Sequence, residues 1–548
     1  MHYFSPLTPV TFLERSAKVF PDAAAVTDER RSVTYRQLLS RARRLAAALR
    51  ALGVGDGDRV GLMADNCRQV IEANFGIPGA GAVVVSLNPW LPSEELAKQL
   101  SWIDCRVLLV SRACLARHGA DVLSDAGARV LVVFGSSPSS SLEPKCVEYE
   151  SVVEAAQGDV PLNAAVRNEL DPIVINFTSG TTGTPKGVVM THRAAYLHAV
   201  GQVLMMGLGL ASHYLWTLPM FHVNGWGHMW ANTVVGGTQV IWDLPSPTPE
   251  EESRFCARMR LAGITHLAGA PRLLRRIVAL KGADTALRGC TIVTGGAAPA
   301  QPLLTELEKV GAKVIHQYGL NETLGPFVVC EEQASWASGD SESRAALRAR
   351  QGVASVVAGT GLRVVSTDGR EVPPDGKTTG EVVMSGNTVA MGYYRAEETT
   401  ARAFVDGWFH TGDLAVVHSD GYLEIRDRIK DLIYVETEYG WENISSIEVE
   451  NILVQCPGVG DAALLGVSGP DAQSAPQLIA VIESSPQHSP SFEELRGFCQ
   501  QRLPAHMRPS RFLLSAIPKT ATGKTRKDLL LARALQELSA PTGSTVST

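Results

Sequence analysis

The sequence predicts an α/β protein with a large N-terminal domain of parallel or mixed sheets and helices, a small β-rich subdomain, and a small α+β C-terminal domain. Segments with strand and helix periodicity alternate through the first half of the chain, which is typical of parallel sheets with right-handed crossovers. Short strands separated by turn residues follow between 361 and 385. The length of 548 residues exceeds what one core can bury, so at least two domains are expected.

The elements follow in order from the N-terminus. Leucines and alanines recur at helical spacing over 34–53, and Gly53 and Gly55 mark the end of that helix. Further strand patterns lie at 60–63, 82–87, 129–134, 173–177, 214–218, 239–242 and 290–294, and a further helix lies at 69–77. Residues 331–350 are charged and poorly periodic, so we expect a surface excursion there. The Ser/Thr/Gly/Pro-rich tail, 539–548, is expected to be disordered.

The composition indicates a globular cytoplasmic enzyme. Apolar residues make up 45% and charged residues 19% of the chain, and the net charge of −6 provides no basic field for nucleic acid. The nine cysteines lie singly, as expected for reduced thiols rather than a disulfide framework or a zinc site. No apolar run reaches 18 residues and no signal-peptide pattern is present, so we expect neither a membrane span nor secretion.

The most informative stretch is 176–190, where hydroxyls, glycines and a lysine follow an apolar strand. These residues are Thr178, Ser179, Gly180, Thr181, Thr182, Gly183, Lys186 and Gly187. Glycines allow close approach of an anion, hydroxyls and N–H groups donate to phosphate oxygens, and lysine adds a mobile charge. The stretch therefore predicts a triphosphate cradle, with a solvated linker as the alternative. It is not a Walker A loop, because glycine rather than Ser or Thr follows the lysine.

This loop and later motifs together resemble the adenylate-forming enzymes, which are acyl-CoA synthetases, nonribosomal peptide adenylation domains and beetle luciferases. The later motifs are 219–222 (Pro-Met-Phe-His), 294–299 (Thr-Gly-Gly-Ala-Ala-Pro), 318–322 (Tyr-Gly-Leu-Asn-Glu), 411–413 (Thr-Gly-Asp), 427–431 (Asp-Arg-Ile-Lys-Asp) and 522–524 (Thr-Gly-Lys). They occur in family order, and the resemblance spans about residues 10–535. The sequence around His222 is most similar to that of medium-chain and aryl acyl-CoA synthetases. The resemblance implies ATP-dependent activation of a carboxylic acid as acyl-AMP, with release of pyrophosphate and transfer to CoA.

The resemblance also assigns the site. Nucleotide binding falls to Thr178, Ser179, Gly180, Thr181, Thr182, Gly183, Lys186, Gly296, Ala297, Ala298, Tyr318, Gly319, Asn321, Asp413 and Arg428. Tyr318 would stack on the adenine and Asp413 would accept the ribose hydroxyls. The acid would be bound by His222, Val223, Asn224, Trp226, Gly295 and Leu320. Lys524 would reach the α-phosphate, and Glu322 would bind Mg²⁺, which prefers carboxylate oxygen. The implied catalytic residues are thus Lys524, Lys186, His222 and Glu322.

Ordinary structural roles remain open for five of these residues. Tyr318 could be a core aromatic residue, Asp413 a turn residue, and Glu322 an acid that complements a helix dipole. Lys524 could be an exposed loop lysine. His222 could be a core histidine whose hydrogen bonds are satisfied.

A hinge is implied at Lys430, within the charged motif 427–431. The expected domains are therefore an adenylation domain, 1–429, a mobile C-terminal domain, 430–538, and the tail, 539–548. Rotation about such a hinge would carry Lys524 into and out of the site.

The chain departs from the family pattern in two places. Asn321 stands where threonine is usual, beside the predicted Mg²⁺ carboxylate. After Asp431 the loop is about four residues longer, and Trp441 follows Gly440 where the family has a second glycine. An indole beside a pantetheine tunnel could hinder CoA, although Trp441 could also turn outward.

Three functions follow from these observations. The first is an acid–CoA ligase for a medium-chain or aromatic acid, with ATP and Mg²⁺. The second is an adenylating enzyme that passes its acyl-AMP to a carrier-protein thiol, an amine or a small nucleophile such as nitrite. The third is a non-catalytic sensor of ATP or acyl-AMP. A homodimer is a further possibility.

Overall fold

The computed structural model describes residues 4–135, 146–158, 160–178, 186–245, 248–437, 440–467, 476–485, 488–519 and 525–539. Its β-strands are β1 (Ala24–Thr27), β2 (Ser32–Thr34), β3 (Arg59–Met63), β4 (Val83–Ser86), β5 (Val107–Ser111), β6 (Val130–Phe134), β7 (Cys146–Glu148), β8 (Pro172–Thr178), β9 (Lys186–Thr191), β10 (His213–Leu215), β11 (Thr238–Val240), β12 (His266–Gly269), β13 (Thr291–Thr294), β14 (Lys313–Leu320), β15 (Gly325–Val329), β16 (Val353–Ala354), β17 (Leu362–Val365), β18 (Gly380–Met384), β19 (Gly392–Tyr393), β20 (Phe404–Val405), β21 (Trp408–Val417), β22 (Leu423–Arg428), β23 (Ile433–Thr437), β24 (Gly440–Ile444), β25 (Val459–Val467), β26 (Gln477–Ser484) and β27 (Arg511–Leu514).

The α-helices of the described residues are α1 (Val10–Val19), α2 (Tyr35–Ala51), α3 (Arg68–Gly79), α4 (Ser93–Ile103), α5 (Arg112–His118), α6 (Ala120–Asp125), α7 (Tyr149–Ala155), α8 (His192–Met206), α9 (Val223–Trp226), α10 (His228–Val235), α11 (Pro249–Leu261), α12 (Pro271–Val278), α13 (Ala283–Ala286), α14 (Gln301–Lys309), α15 (Ser341–Ala349), α16 (Glu397–Ala403), α17 (Ser446–Leu453), α18 (Phe492–Arg502) and α19 (Lys527–Ser539). Short 3₁₀ turns lie at Leu162–Ala165, Asn321–Thr323, Ala334–Ser338, Ile429–Asp431 and Ala505–Met507.

Two large mixed sheets carry the N-terminal part of the molecule. One has the strand order β16-β15-β14-β13-β12-β10-β11-β1-β2, and the other has the order β19-β9-β8-β4-β3-β5-β6-β7. Most neighbouring strands in both sheets are parallel, whereas β8 and β9 are antiparallel. The predicted fold class is confirmed, and parallel strands place the carboxyl ends that form ligand sites at one edge of each sheet.

Helix α2 shows why the N-terminal pattern folds as predicted. The Thr34 side chain accepts a hydrogen bond from the Gln37 backbone N–H, and the Gln37 side-chain Oε1 accepts one from the Thr34 N–H, which forms a capping box. Leu38, Leu45 and Leu49 are at most 1% exposed and belong to the main core. The helix expected over 34–53 is therefore confirmed.

The region 331–350 lies mostly at the surface, and it contains an ordered helix, α15, that the sequence did not predict. Asp340 caps this helix by accepting from the Ser343 N–H at 2.7 Å. Arg344 and Arg348 both pair with Glu308 on α14, at 2.9 and 3.2 Å. Tertiary ion pairs and the cap thus fix a segment whose apolar periodicity is weak.

The C-terminal part buries a core of its own, whereas the core of the β-rich subdomain also includes Phe327 and Val328 of β15. The subdomain sheet has the order β17-β18-β21-β20, with β22 paired to β21. In the C-terminal part, β25, β26 and β27 form a sheet. Its cores draw only on residues from 433 onward. An ion pair of 2.8 Å between Arg272 on α12 and Glu483 on β26 joins this part to the N-terminal sheets.

Two further features concern thiols and membrane insertion. All nine cysteines are free, and eight of them are buried. Burial raises the pKa of the Cys67, Cys105 and Cys330 thiols to about 12.

Within the described residues, no helix combines the length and the apolar character of a membrane-spanning segment.

Four buried histidines predict a loss of stability in mild acid. Burial lowers the pKa of His192, His198 and His316 from 6.5 to about 4, and that of His228 to about 3. Below pH 6.5 the unfolded chain takes up protons that the folded chain does not bind until near pH 4. Stability is therefore full above pH 6.5 and falls as the pH drops, by up to about 1.4 kcal/mol per pH unit for each histidine.

Calorimetry should show the melting temperature falling by at least about 5 °C between pH 7 and pH 5. His198→Gln should reduce that difference, whereas a change at the exposed His506 should leave it intact. An unchanged melting temperature over this range would mean that the buried imidazoles titrate normally.

Candidate active site

A β-hairpin frames the predicted phosphate loop. Strand β8 ends at Thr178 and β9 begins at Lys186, and these two residues are paired in antiparallel register. Residues 179–185 therefore connect adjacent strands, whereas a Walker A loop leads into a helix. The predicted cradle residues Ser179, Gly180, Thr181, Thr182 and Gly183 lie outside the described residues.

Lys186 and Glu322 meet at the ring of Tyr393. The Lys186 Nζ lies 5.2 Å from the centre of that ring, and the Tyr393 hydroxyl donates to Glu322 Oε1 at 2.8 Å. Tyr393 stands on β19, which pairs with β9, and Glu322 is 9% exposed. Burial first, and then the Glu322 carboxylate, raise the pKa of Tyr393, so its hydroxyl remains a donor. Tyr393 therefore orients the predicted metal ligand, a role that sequence reasoning missed.

Asn321 connects the Glu322 turn to the phosphate hairpin. Its side-chain Nδ2 donates to the backbone oxygen of Phe177 at 3.2 Å, one residue before the end of β8. The amide thus contacts the strand that leads into residues 179–185. A threonine side chain is too short to be an equivalent replacement for this longer donor.

Tyr318, Asp413 and Arg428 form a second cluster. The Tyr318 hydroxyl donates to Asp413 Oδ2 at 2.6 Å, and Arg428 Nε donates to Oδ1 at 3.1 Å. Asp413 is 4% exposed and is paired with Arg428 in the β21–β22 register. Burial, and then the Asp413 carboxylate, raise the pKa of Tyr318. Three residues far apart in sequence are therefore held together by their side chains.

Gly319 lies between Tyr318 of this cluster and the turn that carries Glu322. The β14–β15 register shifts between Tyr318 and Gly319, and a Cβ on Gly319 would lie 1.9 Å from the Gly325 oxygen. The backbone at Gly325 approaches Gly319 so closely that no residue with a side chain fits at position 319.

Residues 295–298 leave the carboxyl end of β13, where Thr294 is paired with His316 of β14. Gly295 is buried, Gly296 has a φ of +82°, and Ala297 is exposed. Ala298 is half-buried. Small residues and a left-handed turn leave open backbone at this edge of the sheet, where a flat ring could approach.

The side chains of Asn66, after β3, and Ser86, on β4, form hydrogen bonds with the segment that carries His222. Asn66 accepts from the Met220 N–H and donates to the Leu218 oxygen, each at 2.7 Å. Ser86 Oγ donates to the Phe221 oxygen at 2.7 Å. His222 is half-buried, and its backbone oxygen accepts from two N–H groups of α9. These bonds fix the backbone on both sides of His222.

The other predicted acid-binding residues lie on α9 or beside it. Val223 is 4% exposed, and the side chain of Asn224 lies outside what the structure describes. Trp226 is fully buried, donates its indole N–H to Asn74 Oδ1 at 2.7 Å, and packs edge-on against Trp230. Trp226 therefore supports this region from within the core instead of facing open space.

Asn176 is a buried polar residue that sequence reasoning also missed. It is 2% exposed on β8, and neither Oδ1 nor Nδ2 has a hydrogen-bond partner among the described residues. In the sheet it lies opposite Ser86, the residue that holds Phe221. An unpaired buried amide costs roughly 1–3 kcal/mol, so a water molecule or a ligand is expected to complete it. Its only signal in the sequence is a polar residue within an apolar run.

The motif 427–431, where a hinge is predicted, contacts α17 through Asp427. This residue is 2% exposed, and its Oδ2 accepts from the Ser446 N–H of α17 at 2.5 Å. Burial raises its pKa. Lys430 is half-exposed, with its Nζ 3.7 Å from Asp431 Oδ1.

Lys524 lies outside the described residues, but the ends of its segment are fixed. Lys519 and Thr525 form an isolated antiparallel bridge, and Lys519 Nζ donates to Thr525 Oγ1 at 2.8 Å. Lys519 also pairs with Asp461 at 2.7 Å. The segment 520–524 is thus closed at its base.

The longer segment after Asp431 forms a hairpin of β23 and β24. Trp441 is paired with Glu436, and Gly440 is paired with Thr437. Glu438, the other acidic residue of this segment, lies outside the described residues. The extra residues therefore extend two paired strands.

Comparisons with known proteins find similarity along most of the chain. The AMP-binding enzyme family matches residues 13–394, and the AMP-binding enzyme C-terminal domain matches residues 448–524. A peroxisomal acetate/butyrate–CoA ligase of Arabidopsis thaliana is 37% identical over 97% of this chain and 95% of its own length. The 4-hydroxybutyrate–CoA ligase 2 of Metallosphaera sedula is 37% identical over 96% of this chain and 94% of its own length.

Solved structures of two related activities have the same fold. An anthranilate CoA ligase in complex with anthranoyl-AMP aligns with a TM-score of 0.83 and 25% identity, over 98% of this chain and 99% of that one. An amide bond synthetase from Marinactinospora thermotolerans aligns with a TM-score of 0.79 and 25% identity, over 96% of this chain and 99% of that one.

Proposed function

The chain belongs to the AMP-binding enzyme family, and on this premise we propose that it is an AMP-forming acid–CoA ligase. A carboxylate oxygen attacks the α-phosphorus of ATP, the bond to the bridging oxygen breaks, and pyrophosphate leaves. The CoA thiolate then attacks the carbonyl carbon of the acyl-AMP and AMP leaves. Such chemistry depends on positioning and on neutralisation of phosphate charge.

The observation that carries this proposal is the juxtaposition of two clusters along one short segment. Tyr318 reaches Asp413 and Arg428, while Glu322, four residues later, reaches Tyr393 beside Lys186. The first cluster offers a carboxylate for ribose hydroxyls, and the second offers a carboxylate and a cation for a metal–triphosphate.

The residues present fit a magnesium ion carried by ATP. Mg²⁺ usually binds through one or two carboxylates together with substrate phosphates. Glu322 supplies such a carboxylate, next to the strand that leads into the phosphate loop. When bound, the ion would neutralise charge on the phosphates.

We propose a short- to medium-chain or small aromatic acid as the substrate. The curated relatives include ligases named for acetate, butyrate and 4-hydroxybutyrate. The related solved structure is named for anthranilate. The unpaired amide of Asn176 beside the His222 segment would additionally suit an acid with a polar substituent.

The proposal is tested by measuring pyrophosphate release across a panel of acids, with and without CoA. Acetate, butyrate, 4-hydroxybutyrate, octanoate, benzoate and cinnamate form a suitable panel. We expect at least one acid to release pyrophosphate and to yield its CoA thioester at a matching rate. No pyrophosphate with any acid would remove the adenylation function.

A second acceptor class is supported by the β23–β24 hairpin. Trp441 stands in this hairpin, the sequence pattern of the resembled ligases has glycine at that point, and the related amide bond synthetase has the same fold. We keep transfer to an amine, a carrier-protein thiol or nitrite as the alternative.

Replacing Trp441 distinguishes these acceptors. An indole fills far more space than a hydrogen atom, and packed walls do not admit a ligand without rearrangement. If the hairpin restricts CoA, Trp441→Gly should lower the KM for CoA by about 10-fold and leave pyrophosphate release unchanged, whereas Trp441→Phe should resemble the parent. Equal use of CoA by all three proteins would place the indole away from the CoA path.

The remaining features of the site are also proposals. We propose that Lys430 is the pivot between adenylation and transfer, with domains at 1–429 and 430–538. A cytoplasmic location fits the composition, although some relatives carry peroxisomal names, and a homodimer is a separate proposal. A proline at Lys430 would fix φ, and acyl-AMP would then accumulate without product.

A further inference from the structure

A cleft lies at the amino ends of three adjacent parallel strands, β3, β5 and β6. Its volume is about 180 Å³. The charged residues that line it are Arg59, Arg106, Arg129, Asp58 and Asp104. A cavity of roughly 150 Å³ accommodates a molecule as large as benzene, so this cleft has room for one small anionic group.

The same dipeptide, Arg-Val, stands at the amino end of each of these three strands. The three copies occur at 59–60, 106–107 and 129–130. Val60 is paired with Val107, and Val107 is paired with Val130, in parallel register. Because neighbouring strands lie roughly 4.8 Å apart, the arginines that precede these valines form a row at one level of the sheet edge.

Arg59, the first arginine of this row, is held in place by protein groups. Its Nε donates to the backbone oxygen of Ile103 at 3.1 Å, and the guanidinium group pairs with Asp104 Oδ2 at 3.1 Å. Asp58 lies 4.0 Å from Arg59 and accepts from the Gly55 N–H at 2.8 Å. Both carboxylates of the cleft therefore already have partners, and Arg59 fixes the shape of its wall.

The charges of Arg106 and Arg129 are not neutralised in the same way. Both residues are exposed, and neither forms an ion pair or a side-chain hydrogen bond with any part of the chain that the structure describes. Their backbones are in contact, since the Arg129 N–H donates to the Arg106 oxygen at 2.8 Å. Like charges that stand side by side on neighbouring strands destabilise a sheet, and a bound anion would remove that repulsion.

The cleft is separate from the candidate active site. Strand β3 is parallel to β4, and β4 is parallel to β8. The carboxyl end of β8, at Thr178, therefore lies at one edge of this sheet, and the row of arginines lies at the opposite edge. An anion in the cleft would leave the candidate active site free.

We propose that this cleft binds a small anion that carries a phosphate group, with Arg106 and Arg129 as the residues that contact it. A phosphate monoester carries a charge of about −1.5 to −2 at pH 7, which two free guanidinium groups balance. The fixed fork of N–H donors on each guanidinium group matches the oxygens of a phosphate. Inorganic phosphate and small phosphate monoesters share this chemistry.

Isothermal titration calorimetry with inorganic phosphate, at constant ionic strength, tests the site directly. Arg106→Ala and Arg129→Ala should each raise the Kd for phosphate by roughly 10-fold, because charge-assisted hydrogen bonds are lost. Arg106→Lys should recover part of that loss, since it keeps the charge but not the fork. Arg370→Ala, which removes an exposed arginine of the β-rich subdomain, should bind phosphate as the parent does.

Two further titrations define where phosphate binds and in which form. Lys186→Ala should keep the parental affinity, because Lys186 lies at the other edge of the sheet. Glycerol 3-phosphate in place of inorganic phosphate shows whether the site prefers a monoester. Affinity that is lost in Lys186→Ala but kept in Arg106→Ala and Arg129→Ala would overturn the proposal, and so would a parent that does not bind phosphate.

Thermal unfolding provides an independent measurement. Phosphate should raise the melting temperature of the parent through binding linkage, and this increase should be largely lost in Arg129→Ala. Without phosphate, Arg129→Ala should melt no lower than the parent, because it relieves the repulsion between neighbouring arginines. An equal phosphate-induced increase in both proteins would place the bound anion elsewhere.

Discussion

Replacement of Lys524 by alanine is expected to lower the rate of acyl-AMP formation by roughly 10²–10³-fold, because one charge-assisted contact in the transition state is removed. The lysine follows Gly523 within a segment closed by the bridge between Lys519 and Thr525. Because the Thr-Gly-Lys sequence is typical of an exposed loop, we expect its truncation at Lys524 to change the melting temperature little. The rate is followed as pyrophosphate release with an accepted acid.

Arg533→Ala is the matched control, since it removes an exposed cation of the same C-terminal part. Transfer from externally supplied acyl-AMP to CoA should survive in Lys524→Ala, because that step does not form the α-phosphate bond. Pyrophosphate release at the parental rate would exclude Lys524 from the adenylation step.

Replacement of Glu322 by glutamine is expected to lower adenylation by at least about 100-fold. Glutamine keeps an acceptor for the Tyr393 hydroxyl, so the local contact of 2.8 Å survives, but a neutral amide is a poor ligand for Mg²⁺. In the parent, ATP with Mg²⁺ should raise the melting temperature through binding linkage. In Glu322→Gln that increase should be largely lost.

Two variants separate metal binding from general damage. Tyr393→Phe removes only the hydroxyl that orients the carboxylate, and should raise the Mg²⁺ concentration needed for half-maximal rate with a smaller loss at saturation. Glu331→Gln, at an exposed position nine residues further on, should behave as the parent. An equal ATP-induced shift in Glu322→Gln and the parent would remove Glu322 from the metal site.

The sequence predicted those parts of the fold in which local signals agree. The 34–53 helix has regular apolar spacing and a capping box, and it forms as predicted. Helix α15 was missed because its stability depends on Glu308 of another helix, and such ion pairs leave no periodic pattern.

The motifs predicted which residues belong to the candidate site, but the contacts of Tyr393 and Asn176 could not be predicted from the sequence. The resemblance assigned Tyr318 to the adenine and Asp413 and Arg428 to the nucleotide as well, and the side chains of Tyr318 and Arg428 both contact Asp413. Tyr393 reaches Glu322 only because β19 pairs with β9, about 200 residues away in sequence. The side-chain amide of Asn176 is buried without a hydrogen-bond partner among the described residues. A single polar residue in an apolar run does not reveal this.

The buried thiols make this protein suitable for fluorescence labelling. Maleimide dyes react with thiolates, and burial raises the pKa of the native Cys105, Cys290 and Cys499 thiols to about 11 or 12. Cysteines introduced at the exposed positions Arg370 and Arg533 would therefore react first, without removal of any native cysteine. Energy transfer between dyes at these two sites would then report the distance between the β-rich subdomain and the C-terminal part during turnover.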